Sequence, residues 1–272
     1  MEINLSKELK QKIDLSKKEA ENVISSLGIG NQKAQVILAL DISGSMSDLL
    51  EKGKVQSAIE RILPLALNFD DDGSVDFFLF NDKAFVHPNK ISLANIEDFI
   101  KREVLSKYGY GGTYYAPVIN KIRKNLGKDI KKSYSKLEKP KDLYGLFNLF
   151  SFFEFLKKNP NKSLISDEKI NPAKQPAYVI FLTDGDNSDH KQAEEVIREA
   201  SHEEIFWQFV GIGSSSFGFL EKLDNLDGRY IDNANFFQIN DLDKINDNEL
   251  YSRLLNEFPS WLKLARDKNI IV

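Results

Sequence analysis

The amino-acid sequence predicts one α/β domain with a doubly wound, mostly parallel sheet and helices on both of its faces. Three observations lead to this fold class. Short apolar runs alternate with stretches of helical spacing, the apolar runs are continuous, as in Val36-Ile-Leu-Ala-Leu40, and two of them end in aspartate. Strand–helix alternation favours parallel pairing through right-handed crossovers, and continuous apolar strands are typical of sheets covered on both faces.

The first 30 residues are expected to form a helical leader that packs on the domain. Their apolar residues recur at helical spacing, and Ser16-Lys-Lys-Glu19 has the pattern of a capping box at the start of the second of two short helices. Gly28 and Gly30 then end that helix. Because fewer than about 40 residues seldom fold alone, the leader is not expected to be a separate domain.

The domain itself is expected to span residues 31–272 and to alternate strands with helices. Apolar runs predict strands at residues 35–40, 75–80, 84–87, 177–183, 205–212 and 236–239. The third of these is short and closed by Pro88, which suits an edge strand. Apolar residues at helical spacing predict helices at residues 55–68, 93–105, 115–126, 190–202, 217–223 and 247–268.

A lysine-rich segment breaks this alternation, and we interpret it as an insertion at about residues 124–175. Residues 121–174 hold fourteen Lys and Arg against six Asp and Glu, a net charge of +8 in a chain of net charge −4. Residues 143–156 form an aromatic run inside it, for which a partner-docking helix and the insertion's own core are equal alternatives. A charge run is usually a solvated surface, so peripheral membrane contact through the insertion is the weaker alternative.

Composition narrows the possible functions and the compartment. The chain has no cysteine, which excludes disulfides, thiolate zinc sites and cysteine nucleophiles and suits a reducing compartment. His87, His190 and His202 are scattered without metal-ligand spacing. We expect a cytoplasmic protein, because the start has no apolar signal-peptide core and no apolar run is long enough to span a membrane. The net negative charge argues against nucleic acid as a partner.

Two predicted strands are followed by oxygen-bearing side chains. Asp41, Ser43 and Ser45 follow the first strand, and Asp184 follows the fourth. If these strands are neighbours, their carboxyl ends meet in one crevice at the switch point of the sheet. Two carboxylates and two hydroxyls gathered there would repel or lack partners unless a cation joined them, and oxygen ligands select Mg²⁺, with Mn²⁺ and Ca²⁺ as alternatives.

Together with Gly111-Gly112-Thr113, these residues resemble the metal-ion-dependent adhesion site of von Willebrand factor A (VWA) domains. The resemblance implies a six-stranded sheet of order 3-2-1-4-5-6 with one antiparallel edge strand. It also implies that two serines ligate the metal directly, that a threonine does so in the binding-competent state, and that two aspartates hold metal-bound waters. The residues at these positions are Asp41, Ser43, Ser45, Thr113 and Asp184.

Other segments are similar to the bacterial branch of VWA domains found with tellurium-resistance proteins. They are residues 69–73, 183–189, 205–213 and 250–261, and the similarity covers about residues 28–120 and 176–270. The resulting hypothesis is a non-catalytic, metal-dependent protein-binding module of a tellurium-resistance or chemical-stress response. An acidic residue of a protein partner would complete the coordination of the metal.

Other functions and local interpretations stay open beside this hypothesis. A Mg²⁺-dependent phosphotransferase or hydrolase is the main rival, although aspartyl phosphatases have an acid two residues after the nucleophilic aspartate, where this chain has Ser43. A membrane-associated stress adaptor would act through the basic insertion. Asp186 and Asp189 are expected to cap the helix that follows them. Residues 211–216 are expected to be a helix-start turn, not a dinucleotide loop.

Overall fold

A computed structural model of the chain describes residues 5–70, 73–128 and 175–272. A seven-stranded sheet lies at its centre. The strands are β1 Gln35–Asp41, β2 Ser74–Phe80, β3 Ala84–Val86, β4 Ile91–Ser92, β5 Ala177–Thr183, β6 Ile205–Ile212 and β7 Ala234–Ile239. Their order is β3-β2-β1-β5-β6-β7, with β4 also paired to β2. All pairs are parallel except those that β3 and β4 make with β2.

The predicted fold class is confirmed, and so is the order of the six predicted strands. The strand that was not predicted is β4, which has two residues and pairs Ile91 with Val75. Two residues are too few to show the alternation by which a strand is recognised in a sequence. The last strand begins at Ala234, two residues before its predicted start.

Helices cover both faces of this sheet. In the described ranges they are α1 Lys7–Ser26, α2 Ser47–Glu51, α3 Lys54–Phe69, α4 Ala116–Asn125, α5 His190–Ala200, α6 Gly218–Asp224, α7 Asp247–Leu255 and α8 Phe258–Asp267, with a 3₁₀ turn at Gly44–Met46 and a π-helix at Ile100–Leu105. The helix predicted for residues 93–105 is wrong except for its π-helical end. The long last helix is also wrong, because Pro259 at the first turn of α8 begins a second helix.

The leader forms one continuous helix, and the prediction of two short helices is wrong. Ser16 does not cap a helix. It is buried in the middle of α1, and its hydroxyl donates to Asp247 Oδ2 at 2.5 Å. The buried residues of α1 face α3 and α7, so this helix adds to one face of the sheet.

Two apolar clusters form the core of the part of the chain that the structure describes, one on each side of the sheet. Side chains of β1 alternate between them, with Val36, Leu38 and Leu40 in one cluster and Ile37 and Ala39 in the other. The first cluster includes residues of α1, α3, α7 and α8, and the second includes residues of α4, α5 and α6. Burial of each large apolar side chain is worth roughly 1.5–3 kcal/mol, so both helix layers hold the sheet and the loops at its carboxyl edge.

The predicted insertion at residues 124–175, with its aromatic run 143–156, lies almost entirely outside the described residues. Its N-terminal margin is the end of α4, and Lys128 there forms an ion pair with Glu204. Of the helices in the described ranges, none is long and apolar enough to cross a membrane.

Candidate metal centre

The candidate site lies where β1 and β5 end side by side. These strands are parallel neighbours with Leu40 opposite Leu182, so Asp41 and Asp184 leave the sheet at the same edge. β1 also pairs with β2 on its other side. The crossover from β1 to β2 runs through α3 on one face of the sheet, and the crossover from β5 to β6 runs through α5 on the other. Crossovers that diverge in this way leave a crevice at the ends of the two strands in doubly wound sheets.

Asp41 is the most deeply buried group of the site. Its side chain is 0 % exposed, its Oδ1 accepts from the Ser43 backbone N–H at 2.7 Å, and its Oδ2 accepts from Thr183 Oγ1 at 2.6 Å. Burial raises the pKa of Asp41 from 3.8 to about 6, and repulsion from Asp184 adds to the rise. The hydrogen bonds from Thr183 and Ser43 oppose it, since they favour the carboxylate form.

The two predicted serines link the two aspartates. Ser43 Oγ lies 3.1 Å from Ser45 Oγ, and Ser45 Oγ donates to Asp184 Oδ1 at 2.8 Å. Asp184 is 8 % exposed, and burial raises its pKa while the hydrogen bond from Ser45 lowers it. The structure therefore brings Asp41, Ser43, Ser45 and Asp184 together as one hydrogen-bonded cluster.

Thr113 lies at the same edge of the sheet, on a loop that is hydrogen-bonded to the loop after β1 and to the loop after β5. Gly111 forms a parallel bridge with Ser43, and its carbonyl accepts from the Gly44 N–H at 2.9 Å. The Thr113 carbonyl accepts from the Ser188 N–H at 2.9 Å. The Gly111–Thr113 turn is thus attached on one side to the loop after β1 and on the other to the loop after β5.

Gly111 is closely packed against two side chains in this turn. A Cβ at this position would lie 2.3 Å from Asp82 Oδ1 and 3.0 Å from Asn81 Cγ. Asn81 also holds the loop. Its side-chain Nδ2 donates to the Gly109 carbonyl at 3.1 Å, and its backbone carbonyl accepts from the Tyr114 N–H at 3.2 Å. A side chain at position 111 would therefore require Asp82 and the buried Asn81 to move, and Asn81 is a residue that holds the turn carrying Thr113.

The donor set of the cluster fits a hard divalent cation. Its side chains supply carboxylate and hydroxyl oxygens only, and these are the ligands of Mg²⁺, Mn²⁺ and Ca²⁺ in proteins. Over residues 5–70, 73–128 and 175–272, no group of three or more His, Cys, Asp or Glu could hold a metal ion. A cation at this cluster would need the serine and threonine hydroxyls beside the two carboxylates.

Two residues that were not predicted from the sequence as part of the site, Thr183 and Tyr115, form a hydrogen-bonded chain to Asp41. Thr183 is fully buried and donates to Asp41, and the hydroxyl of the fully buried Tyr115 lies 3.2 Å from Thr183 Oγ1. The Tyr115 hydroxyl also donates to the Gly185 carbonyl at 2.7 Å, and burial raises its pKa well above its ordinary value. Thr183 immediately precedes Asp184 and Tyr115 lies two residues after Thr113, but no local pattern indicates that they support Asp41.

The expectation that Asp189 caps its own helix is wrong. It occupies the N-cap position of α5, but its carboxylate accepts no hydrogen bond from that helix and instead accepts from the Tyr115 and Ala116 N–H groups at the start of α4. Asp186 is half exposed, accepts from the Asn187 N–H and contacts His190 Nε2 at 2.7 Å in the first turn of α5.

The sequence matches the family described as vWA-TerF-like, "vWA found in TerF C terminus", over residues 33–136 and 157–271. The uncharacterized protein YcbR of Bacillus subtilis (strain 168) is 35% identical over 262 residues, which cover 95% of this chain and 90% of YcbR.

Two solved structures of low sequence identity are also similar. The conserved hypothetical protein BatB from Bacteroides thetaiotaomicron is 17% identical with a TM-score of 0.49, and the match covers 85% of this chain and 99% of BatB. Proximal thread matrix protein 1 from the mussel byssus is 14% identical with a TM-score of 0.46, and the match covers 86% of this chain and 48% of that one.

Proposed function

This chain belongs to the family of VWA domains found at the C terminus of TerF, and we propose that it is a non-catalytic protein-binding module that depends on a divalent cation. The observation that carries the proposal is the cluster at the ends of β1 and β5. Two buried carboxylates, Asp41 and Asp184, lie in it with serine hydroxyls between them. Mg²⁺ is the proposed cation, with Mn²⁺ and Ca²⁺ as alternatives, because every donor is an oxygen.

The residues of the cluster have distinct proposed roles. Ser43, Ser45 and Thr113 would ligate the cation directly, while Asp41 and Asp184 would hold its waters. The bound cation would supply a coordination position for an acidic side chain of a protein partner. Thr183 keeps Asp41 oriented towards the loop after β1, since it donates to the oxygen that the Ser43 N–H does not occupy.

Electrostatics support a cation at this position. Burial raises the pKa of Asp41 to about 6, so the folded protein disfavours the charged form of this carboxyl. A nearby positive charge favours the ionised form and offsets the unfavourable burial. Cation binding would therefore stabilise the fold as well as create the binding surface.

The cellular context rests on family membership alone. We propose that the protein acts in the cytoplasm, in a tellurium-resistance or chemical-stress response, because the family is defined by the domain of TerF. The proposed partner is a protein that presents an acidic residue, and no nucleic acid is expected. A membrane-associated adaptor acting through the basic insertion is an alternative that concerns residues outside the described ranges.

A Mg²⁺-dependent hydrolase or phosphotransferase has less support. The position two residues after Asp41 is Ser43, whose backbone N–H donates to Asp41 and whose hydroxyl contacts Ser45. A hydroxyl of ordinary acidity there cannot replace the carboxylic acid that protonates a leaving group in aspartyl phosphatases.

The proposal can be tested by thermal unfolding with increasing Mg²⁺ and by protein pull-down with and without chelator. Wild type should gain stability with Mg²⁺, and Asp41→Ala should not. Asp267→Ala is the matched control, because Asp267 is exposed at the end of α8, away from the cluster. Proteins that bind wild type should be lost with chelator and with Asp41→Ala but kept by Asp267→Ala. Retention that is the same with and without chelator would contradict the proposal.

A further inference from the structure

We infer that Asp189 is a positioning residue of the metal site, which holds the loop carrying Thr113 by capping α4. This inference rests on the proposed metal-binding function, and it assigns a role to a residue whose carboxylate is hydrogen-bonded to Tyr115, Ala116 and Asn187 and not to the candidate ligands. Asp189 is 6 % exposed, and it acts through the backbone of the residues that follow Thr113.

The carboxylate of Asp189 is fully engaged away from its own helix. Oδ1 accepts from the Tyr115 N–H at 2.9 Å, and Oδ2 accepts from the Ala116 N–H at 2.8 Å. Asn187 Nδ2 also donates to Oδ1 at 2.6 Å. An aspartate at an N-cap position ordinarily accepts from the second or third residue of the helix that it begins. Here the carboxylate instead reaches residues 73 and 74 positions away in the chain.

The recipient helix needs this cap. The first N–H groups of a helix have no partner within the helix, and the N-cap residue of α4 is Tyr115, whose side chain makes no capping bond. The Tyr115 hydroxyl is directed instead to the Gly185 carbonyl at 2.7 Å. The loop after β5 therefore supplies the acceptors for the start of α4 that the sequence of α4 itself does not.

The same loop carries Asp184, and this connects the cap with the metal site. The Ser188 N–H donates to the Thr113 carbonyl at 2.9 Å, so Thr113, Tyr115 and Ala116 are all held by two consecutive residues, Ser188 and Asp189. Thr113 is separated from the first capped N–H group by one residue. Loss of the Asp189 carboxylate should release this segment and let Thr113 shift relative to Asp184.

The test measures the dissociation constant of Mg²⁺ for the full chain by calorimetry. Asp189→Ala should weaken Mg²⁺ binding by about tenfold or more, as is typical when a group that orients a ligand is removed. Asp189→Asn should weaken it less, because the amide oxygen still accepts from one N–H group, and this variant serves if Asp189→Ala does not fold. Asn246→Ala is the matched control, because Asn246 caps α7 by accepting from the Glu249 N–H at 2.9 Å. It should lose stability while its Mg²⁺ affinity stays unchanged.

A double-mutant cycle with Thr113→Val separates positioning from a general loss of structure. If Asp189 acts through Thr113, then Asp189→Ala should weaken Mg²⁺ binding in wild type but add nothing in the Thr113→Val background. Equal weakening in both backgrounds, or an unchanged dissociation constant in both Asp189 variants, would overturn the inference alone. A wild-type chain that does not bind Mg²⁺ would overturn the proposed function together with it.

Discussion

Neutralising Asp41 should change the way in which the stability of the protein in chelator depends on pH. Burial raises the pKa of this carboxyl to about 6 in the folded state, against an ordinary value of 3.8. Because the folded pKa is the higher one, folding favours the protonated carboxyl. Its contribution to stability is therefore complete below about pH 3.8 and is lost as the pH rises through 6. Asp41→Asn has no proton to lose and should not show this decline.

The size of the effect follows from the two pKa values. Each pH unit between them corresponds to about 1.4 kcal/mol, so the whole contribution of Asp41 is about 3 kcal/mol. About 2 kcal/mol of it falls between about pH 4.5 and pH 7.5, where unfolding is readily measured. The pKa values of Asp224 and Glu257 are also raised by burial, to about 6 and about 7. These groups are the same in both proteins, so they cancel in the difference.

Urea unfolding in chelator at several pH values would measure this difference. The free energy of unfolding of Asp41→Asn, minus that of wild type, should rise by about 2 kcal/mol between about pH 4.5 and pH 7.5. Any fixed effect of the amide on its contacts with Ser43 and Thr183 shifts the whole curve and leaves its slope unchanged. Parallel pH curves for the two proteins would refute the reasoning, since Asp41 would then have the same pKa in the folded and unfolded states.

Three further predictions concern the same region. Asp184→Asn should raise the free energy of unfolding in chelator at neutral pH, because burial disfavours the charge of Asp184. It should also reduce the stability gained from Mg²⁺, which for wild type is about 2.7 kcal/mol at a hundredfold excess over the dissociation constant. Equal Mg²⁺ shifts in the melting curves of the two proteins would place the cation elsewhere. Phosphatase and nucleotidase assays should detect no turnover, and a Mg²⁺-dependent turnover lost in Asp184→Ala would contradict the non-catalytic proposal. Gly211→Ala should lower the free energy of unfolding by about 1–3 kcal/mol, because its Cβ would lie 2.7–2.9 Å from the Phe217 ring, whereas Gly30→Ala, with open space around it, should not.

Apolar runs in the sequence were sufficient to predict the six strands of the order β3-β2-β1-β5-β6-β7. β1, β5 and, apart from Gln208, β6 are continuous apolar runs because both faces of these strands are buried, and such runs are visible without any tertiary information. The two-residue β4 has no such pattern, so it was missed. The break in the last helix did have a local signal, because Pro259 is typical of a first turn.

The prediction of two short helices in the leader is wrong because of a tertiary contact. Ser16-Lys-Lys-Glu19 is a plausible capping box, but the Ser16 hydroxyl has a partner in Asp247, 231 residues away, and the helix continues through it. Ser16 is buried because α1 packs against α3 and α7. A local motif predicts a helix start only when its side chains have no stronger partner elsewhere in the fold.

Four residues of the candidate site, Asp41, Ser43, Ser45 and Asp184, could be identified from the sequence because they follow strand ends, whereas Thr113 was identified only through the resemblance to VWA domains. Asp41 and Asp184 each stand beside a continuous apolar run, and parallel neighbours bring such positions to one edge. The partner of each hydrogen bond was decided by the tertiary structure alone. Ser45 reaches Asp184 and Asp189 reaches the start of α4, over separations of 139 and 73–74 residues. The reason is physical: a sequence shows which groups can donate or accept, but packing determines which buried N–H or O–H lies within reach of a carboxylate.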